Sequence, residues 1–337
     1  MVPYNRLLKK DSLPKLLTLL SEQGRQIIAP VATDGLVAYS RVEAPFALDF
    51  DYILPNTSVK EVVFPRTEKL FAYVKSKESV EVTDFNFDAI PYKVMVGVRP
   101  CDAAGLLSLS AIFNWDPKDP IFNARMARTT FIGMSCNKSD EYCFCTSVDL
   151  GPGSTKGSDI LLTTLNDGNY LAEILSEKGE AVVALAPALF EEAQMADKEN
   201  FLAVLPVKFE KAKIFEKLKE KFDSPIFGEQ AMACVGCGTC AYVCPICACF
   251  DIQEQTKGNK GSRVRCWDSC GMKLFTLHTS GHNPRNNQGQ RWRQRLMHKF
   301  SYMPERLDVT GCVGCGRCSR SCPVDMNMAE HLKEIVE

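Results

Sequence analysis

Eight of the 16 cysteines in this chain fall into two copies of one spacing. The first copy is Cys234-Val-Gly-Cys237-Gly-Thr-Cys240-Ala-Tyr-Val-Cys244-Pro245, and the second is Cys312-Val-Gly-Cys315-Gly-Arg-Cys318-Ser-Arg-Ser-Cys322-Pro323. In the run C-x2-C-x2-C-x3-C-P, three thiolates hold corners of one [4Fe-4S] cube and the fourth reaches the other cube. The spacing therefore assigns Cys234, Cys237, Cys240 and Cys322 to one cluster, and Cys244, Cys312, Cys315 and Cys318 to a second. Gly236, Gly238, Gly314 and Gly316 suit loops that wrap an inorganic core through left-handed backbone. Each proline stops the turn behind its last ligand. Zinc sites separate their C-x2-C pairs by a spacer, which gives no reason for a tight four-cysteine run to occur twice. Disulfides belong to oxidising compartments. Nothing in residues 1–31 resembles a secretory signal, so a reducing compartment is expected.

The other eight cysteines leave alternatives open. Cys247, Cys249, Cys266 and Cys270 follow the first run and either ligate a metal group or fill small apolar gaps, as buried free cysteine does. Cys101 follows a strand candidate at Lys93–Val98, at the point where a helix should start. Cys136 ends the next strand candidate, and Cys143-Phe-Cys145 lies in the loop after it. With those strands as parallel neighbours, Cys101, Cys136, Cys143 and Cys145 reach one sheet edge, where open α/β sheets bind ligands, and can hold a third cube. The alternative is a single reactive thiol, Cys101, with its pKa lowered by a helix N-terminus and Arg99.

The elements that must position these thiols are legible in part. Ser12 to Gly24 has a cap, an early proline and leucines on one face, as a helix does. Strands are expected at Gln26–Val31, Gly35–Ser40, Lys93–Val98, Thr129–Ser135, Asp159–Thr164 and Ala181–Ala186. Helices are expected after Phe64, over Ala103–Phe113 and over Phe209–Phe222, and Asn166-Asp167-Gly168 signals a tight turn. At 337 residues the chain exceeds one typical core. We expect an α+β or α/β domain over residues 1–225, then a bacterial-type two-[4Fe-4S] ferredoxin-like domain over 226–337, with residues 245–311 as a long insertion. Twelve cysteines lie beyond residue 230 and four before it, in keeping with that division.

Composition excludes more than it assigns. With 40 basic against 41 acidic residues, neither nucleic acid nor an anionic membrane surface is the expected partner. The longest apolar run, Ala181–Phe190, is far short of the roughly 20 residues that span a bilayer. No G-x-G-x-x-G joins a strand to a helix, so a nucleotide or flavin site is disfavoured. Gly151 to Gly157 reads as a loop beside the Cys143–Cys145 turn. Of the four histidines, His282 alone has a setting that points toward a cluster, against a plain structural role. The run Arg291 to Lys299 is either a solvated helix face, a dock for an acidic partner, or a counter-charge to a cluster.

The segments Val98-Arg-Pro-Cys-Asp, Cys136 with Cys143-Phe-Cys-Thr-Ser, Cys244-Pro-Ile-Cys-Ala-Cys, Trp267-Asp-Ser-Cys, Gly281-His-Asn-Pro-Arg and Cys312-Val-Gly-Cys-Gly-Arg-Cys resemble the family of sulfhydrogenase β subunits and of the A component of anaerobic sulfite reductase. The likeness spans nearly the whole chain. It implies a four-iron dicluster electron carrier beside a flavin subunit that uses NAD(P)H and a separate subunit carrying the terminal chemistry. A related subunit serves complexes with heterodisulfide reductase. Cys266 is not a fixed feature of the family, so the resemblance gives a cluster on Cys266 no support. The expected function is a cytoplasmic iron–sulfur electron-transfer subunit that is not catalytic alone. The alternative is a reductase of a sulfur compound, acting through an N-terminal cluster or Cys101. Against it, there is no adjacent Cys-Cys pair, and neither Cys136 to Cys143 nor Cys244 to Cys249 makes a C-x5-C run.

Overall fold

The computed structural model describes residues 2–193 and 197–337, and among these residues twelve strands form two sheets. In chain order they are β1 (Tyr4–Leu8), β2 (Gln26–Thr33), β3 (Leu36–Val42), β4 (Thr67–Lys75), β5 (Val80–Thr83) and β6 (Lys93–Val98). There follow β7 (Thr129–Met134), β8 (Ile160–Thr164), β9 (Tyr170–Ile174), β10 (Phe190–Glu192), β11 (Phe250–Lys257) and β12 (Lys260–Trp267). The larger sheet has the order β10-β1-β9-β8-β7-β6-β2-β3. Its centre, β8-β7-β6-β2, is parallel, and both flanks are antiparallel.

Strands β6 and β7 are apolar along almost their whole length because the sheet is covered on both faces. Val94, Val96, Ile132 and Met134 pack with Leu13, Leu16, Leu17 and Leu20 of the helix Ser12–Glu22. Met95 and Phe131 face the opposite way, toward Ala103, Leu106 and Leu109 of the helix Pro100–Phe113. A bulge at Gly97, which has φ +74°, turns Val98 to the same side as Met95. The helix Pro100–Phe113 is apolar on two faces because it packs twice, against the sheet on one side and against Cys244, Ile246 and Val313 on the other.

Two expected elements are replaced. The stretch after Phe64 is not helical but forms β4, and the reason is Glu68. This buried carboxylate accepts from Arg125 at 2.8 Å and pairs with Arg265 of β12, which also meets Asp119. Only a strand beside β12 brings those charges together. The run Ala181–Ala186 is not a strand but the later part of the helix Glu177–Leu185. Ser176 caps that helix by accepting from the Gly179 amide, and two glutamates sit in its first turn. The other expected strands and helices lie where the sequence placed them, and Asp167-Gly168 turns β8 into β9.

The second sheet, β11-β12-β4-β5, is antiparallel and takes strands from both sides of residue 226. Residues 245–311 therefore do not stand apart, since their hairpin extends a sheet begun by β4 and β5. Two ion pairs add to this join. Arg317 donates to both carboxylate oxygens of Asp102 at 2.8 and 2.7 Å, with both side chains almost fully buried. Arg320 pairs with both oxygens of Asp140 at 2.6 and 2.5 Å. Among the described residues no helix is long and apolar enough to cross a membrane.

Asp102→Asn should leave the Arg317 guanidinium buried without its anion and cost about 3–5 kcal/mol of stability. Chemical denaturation checks this. A cost below about 1 kcal/mol, as for an exposed pair, would remove the pair from its structural role.

Candidate metal centres

The first cysteine run and the end of the second surround one cavity. Cys234, Cys237, Cys240 and Cys322 line it together with Cys318, which the spacing assigns to the other set. The left-handed Gly236 and Gly238 carry the loop around it, at φ +69° and +77°. Gln288 donates to Cys234 Sγ at 3.0 Å. Cys237 lies at the surface, and its hydrogen bond with Thr239 at 3.3 Å holds the thiol below its usual range.

The second set lies deeper. Cys244 and Cys315 pack in one buried cluster with Val313, while Cys312 and Cys318 line two other cavities. The sulfurs accept from backbone and side chains: Cys244 from the Ile246 amide at 3.5 Å and Lys299 Nζ at 3.4 Å, Cys312 from the Gly314 amide at 3.5 Å. Burial raises the Cys312 thiol to about 11. Such sulfurs become anionic when a metal displaces the proton, and the cations beside them offset that charge.

The four N-terminal cysteines meet as the topology implied. Cys101 follows β6 and Cys136 follows β7, at the carboxyl edge of the parallel strands, and both line one cavity with Cys143 and Cys145. Gly151 and Pro152 close it from the nearby loop, and the Pro152 carbonyl accepts from the Cys136 amide at 2.9 Å. Cys315 of the second cysteine run lies on the same wall. The contact there is backbone on backbone: the Phe144 amide donates to the Gly314 carbonyl at 2.8 Å, and a Cβ at Gly314 would overlap Phe144 and Cys145.

Cys101 does not have the setting of a reactive thiol. Burial pushes it well above its usual range, with Asp102 adding to the effect. Arg99 does not stabilise a thiolate there, because its guanidinium donates to the carbonyls of Ile53 at 3.1 Å, Ser135 at 2.9 Å, Phe50 at 3.0 Å and Tyr52. Burial likewise raises Cys136 to about 11 and Cys145 to about 12.

The basic run is not a solvated face. Arg291, Arg295 and Lys299 are buried, and only Arg293 turns outward, toward Phe222 and Asp223. Burial works against the Lys299 ammonium, but Cys244 and Cys247 outweigh it and hold the group above its usual range. Lys60 carries no sequence signal, yet its ammonium is buried against the carbonyls of Ala241 and Cys247 at 3.0 and 2.9 Å. Burial lowers it to about 8, with Cys247 and Cys244 opposing. His282 is exposed in a surface turn beside His278, in keeping with the plain structural role weighed for it. The histidine near thiols is His298, beside Cys247, Cys249 and Cys270. Cys266 stands apart on β12, with its sulfur 3.9 Å from Gln253 Oε1.

Among the described residues, no three His, Cys, Asp or Glu side chains converge as a single chelated ion requires. The thiols instead stand around cavities beside buried cations, which is the donor set of iron–sulfur cubes. Gly314→Ala and Gly316→Ala test the packing of these loops. Both glycines have positive φ, and an added Cβ meets backbone of the Tyr142–Cys145 loop. Each substitution should cost more than about 1 kcal/mol and lower the iron content, read by denaturation and metal analysis.

A model of the 4Fe-4S dicluster domain matches residues 233–326, a span that holds both cysteine runs. Sulfhydrogenase 2 subunit beta of Pyrococcus furiosus is 31% identical over 344 residues, covering 98% of this chain and 98% of that protein. No solved structure gives a significant match. Identity at this level along the whole length agrees with the motif resemblance, and the chain belongs to the sulfhydrogenase β-subunit family.

Proposed function

We propose that this chain is the iron–sulfur relay of a cytoplasmic multi-subunit oxidoreductase. It carries electrons between a flavin subunit that uses NAD(P)H and a terminal redox subunit of hydrogenase, sulfite reductase or heterodisulfide reductase type. In this reading Cys234, Cys237, Cys240 and Cys322 hold one [4Fe-4S] cube, and Cys244, Cys312, Cys315 and Cys318 a second, in a ferredoxin-like core interrupted by residues 245–311. Cys101, Cys136, Cys143 and Cys145 hold a third. Residues 1–225 then present one end of the relay and residues 226–337 the other.

The observation that supports this is the sharing of walls. Cys315 of the second set lines the cavity of the N-terminal thiols, and Cys318 of the second set lines the cavity of the first. Three sites in which each adjacent pair shares a cysteine wall form a row, and electron tunnelling needs such short gaps between centres. The row has an exposed end at Cys237, beside the exposed Val235 and Met232, and reaches the surface near Lys138 at the other. The clusters supply one-electron chemistry. The chain sets their potentials through hydrogen bonds to sulfur, local charge and burial.

In the assembled complex, Cys315→Ala should stop flow to the physiological acceptor while the flavin subunit still reduces a dye. Retained flow would refute the relay. Cys143→Ser and Cys101→Ala should each lower the iron content by about four atoms per chain; unchanged iron in both would remove the third cube. Lys299→Gln removes a cation that favours the more negative, reduced cluster, so the potential of the second cube should fall in an EPR-monitored titration.

A further inference from the structure

Four thiols remain outside these sets: Cys270 is buried, and Cys247, Cys249 and Cys266 are half-buried. Cys247, Cys249 and Cys270 line a further enclosed cavity with Arg295, His298 and Lys299. We propose that this cavity is a fourth cluster site, a [4Fe-4S] cube held by Cys247, Cys249 and Cys270, with His298 facing its fourth iron.

The thiols come from two loops that the backbone ties together. Cys247 and Cys249 follow Pro245, whereas Cys270 lies in the turn after β12. The Asp268 amide donates to the Cys249 carbonyl at 2.9 Å. The turn is held by Ser269, fully buried, whose hydroxyl accepts from the Gly271 amide at 3.1 Å. Cys266, four residues earlier, is on the exposed hairpin and takes no part. The site is thus built by fixed backbone and not by loose proximity of cysteines.

Charge makes the second argument. Lys60, Arg295 and Lys299 are all at most 4% exposed. Among the described residues their polar partners are carbonyl oxygens and sulfurs, with no carboxylate among them. Lys299 points at Cys244, a ligand of the second cube, and finds its anion there. Arg295 Nη1 instead points at Cys247 Sγ at 3.5 Å, its Nε has no partner, and Lys60 Nζ sits on the Cys247 carbonyl. Neutral thiols give these cations nothing to offset, and an uncompensated buried charge costs several kcal/mol. A thiolate cluster at Cys247 supplies the missing negative charge.

Three cysteines and a histidine are also a zinc donor set, and the measured metal distinguishes the two. The site stands beside the relay row, since Arg295 bridges from Cys247 Sγ at 3.5 Å to the carbonyl of Cys240 of the first set at 2.7 Å. The assignment does not depend on the relay reading or on the third cube.

A cube with three thiolates has one labile iron. Ferricyanide takes one electron, one Fe2+ leaves, and the [4Fe-4S]2+ core becomes [3Fe-4S]+, which has a near-isotropic EPR signal. The test uses the full chain purified without oxygen, with iron, zinc and acid-labile sulfide measured per chain. Cys270→Ser should lower iron by about four atoms and abolish the ferricyanide-induced signal, while Cys266→Ser should leave both unchanged. His298→Cys gives the labile iron a fourth thiolate, so it should keep full iron and suppress the signal even if Cys270→Ser proves insoluble. Unchanged iron in Cys270→Ser, zinc in place of iron at the site, or an undiminished signal in His298→Cys would overturn the proposal. Cys143→Ser and Cys315→Ala report separately on the third cube and the relay.

Discussion

The buried pair of Arg317 with Asp102 is the interaction on which the rest of the arrangement depends. Arg317 lies between Cys315 and Cys318, and Asp102 follows Cys101 at the start of the helix behind the parallel sheet. Two charges taken out of water are tolerated only when matched in place. The match here is bidentate, and Arg317 Nε is also satisfied by the Pro55 carbonyl at 2.8 Å. The pair sets the second cysteine run against the sheet edge, so that Cys315 comes to share a cavity with the N-terminal thiols. Arg320 and Asp140 repeat the device beside Cys143, where Arg320 also reaches the sulfur at 3.1 Å.

Around this clamp the chain solves a problem of charge. Metal-bound thiolates in an apolar interior need cations close by, and a surface lysine cannot serve. The helix Gln288–Met297 and the turn of π-helix after it deliver Arg291, Arg295 and Lys299 inward, while the hydrophobic side of the same helix, Trp292 and Leu296, packs against Phe227, Leu332 and Ile335. One element therefore supplies both core and counter-charge. Lys60 arrives from a separate short helix, with its ammonium 4.0 Å from the centre of the Trp267 ring.

The sheet explains the placing of the N-terminal thiols. Parallel neighbours β6 and β7 end level with each other, and the residues just beyond their carboxyl ends are Cys101 and Cys136. Open α/β sheets leave ligands at this edge because loops and helix starts converge there. The second cysteine run then occupies the mouth of that edge, close enough that Gly314 has no room for a side chain.

Sequence alone marked the two cysteine runs as a 4Fe-4S dicluster domain, because the spacing of a cube's corners is local and leaves a periodic mark. It also indicated the strands β6 and β7, whose doubly covered faces demand unbroken apolar runs. It could not decide between helix and strand after Phe64, where the deciding term is the pairing of Glu68 with Arg125 and Arg265, residues far along the chain. Spacing by itself did not separate Cys270 from Cys266, which only the family resemblance set apart, and it gave no reason to look at His298, which packing alone brings beside Cys247, Cys249 and Cys270. Lys60 left no mark at all. Its role depends on the carbonyls of Ala241 and Cys247, and burial of a charge against distant partners is a property of tertiary structure.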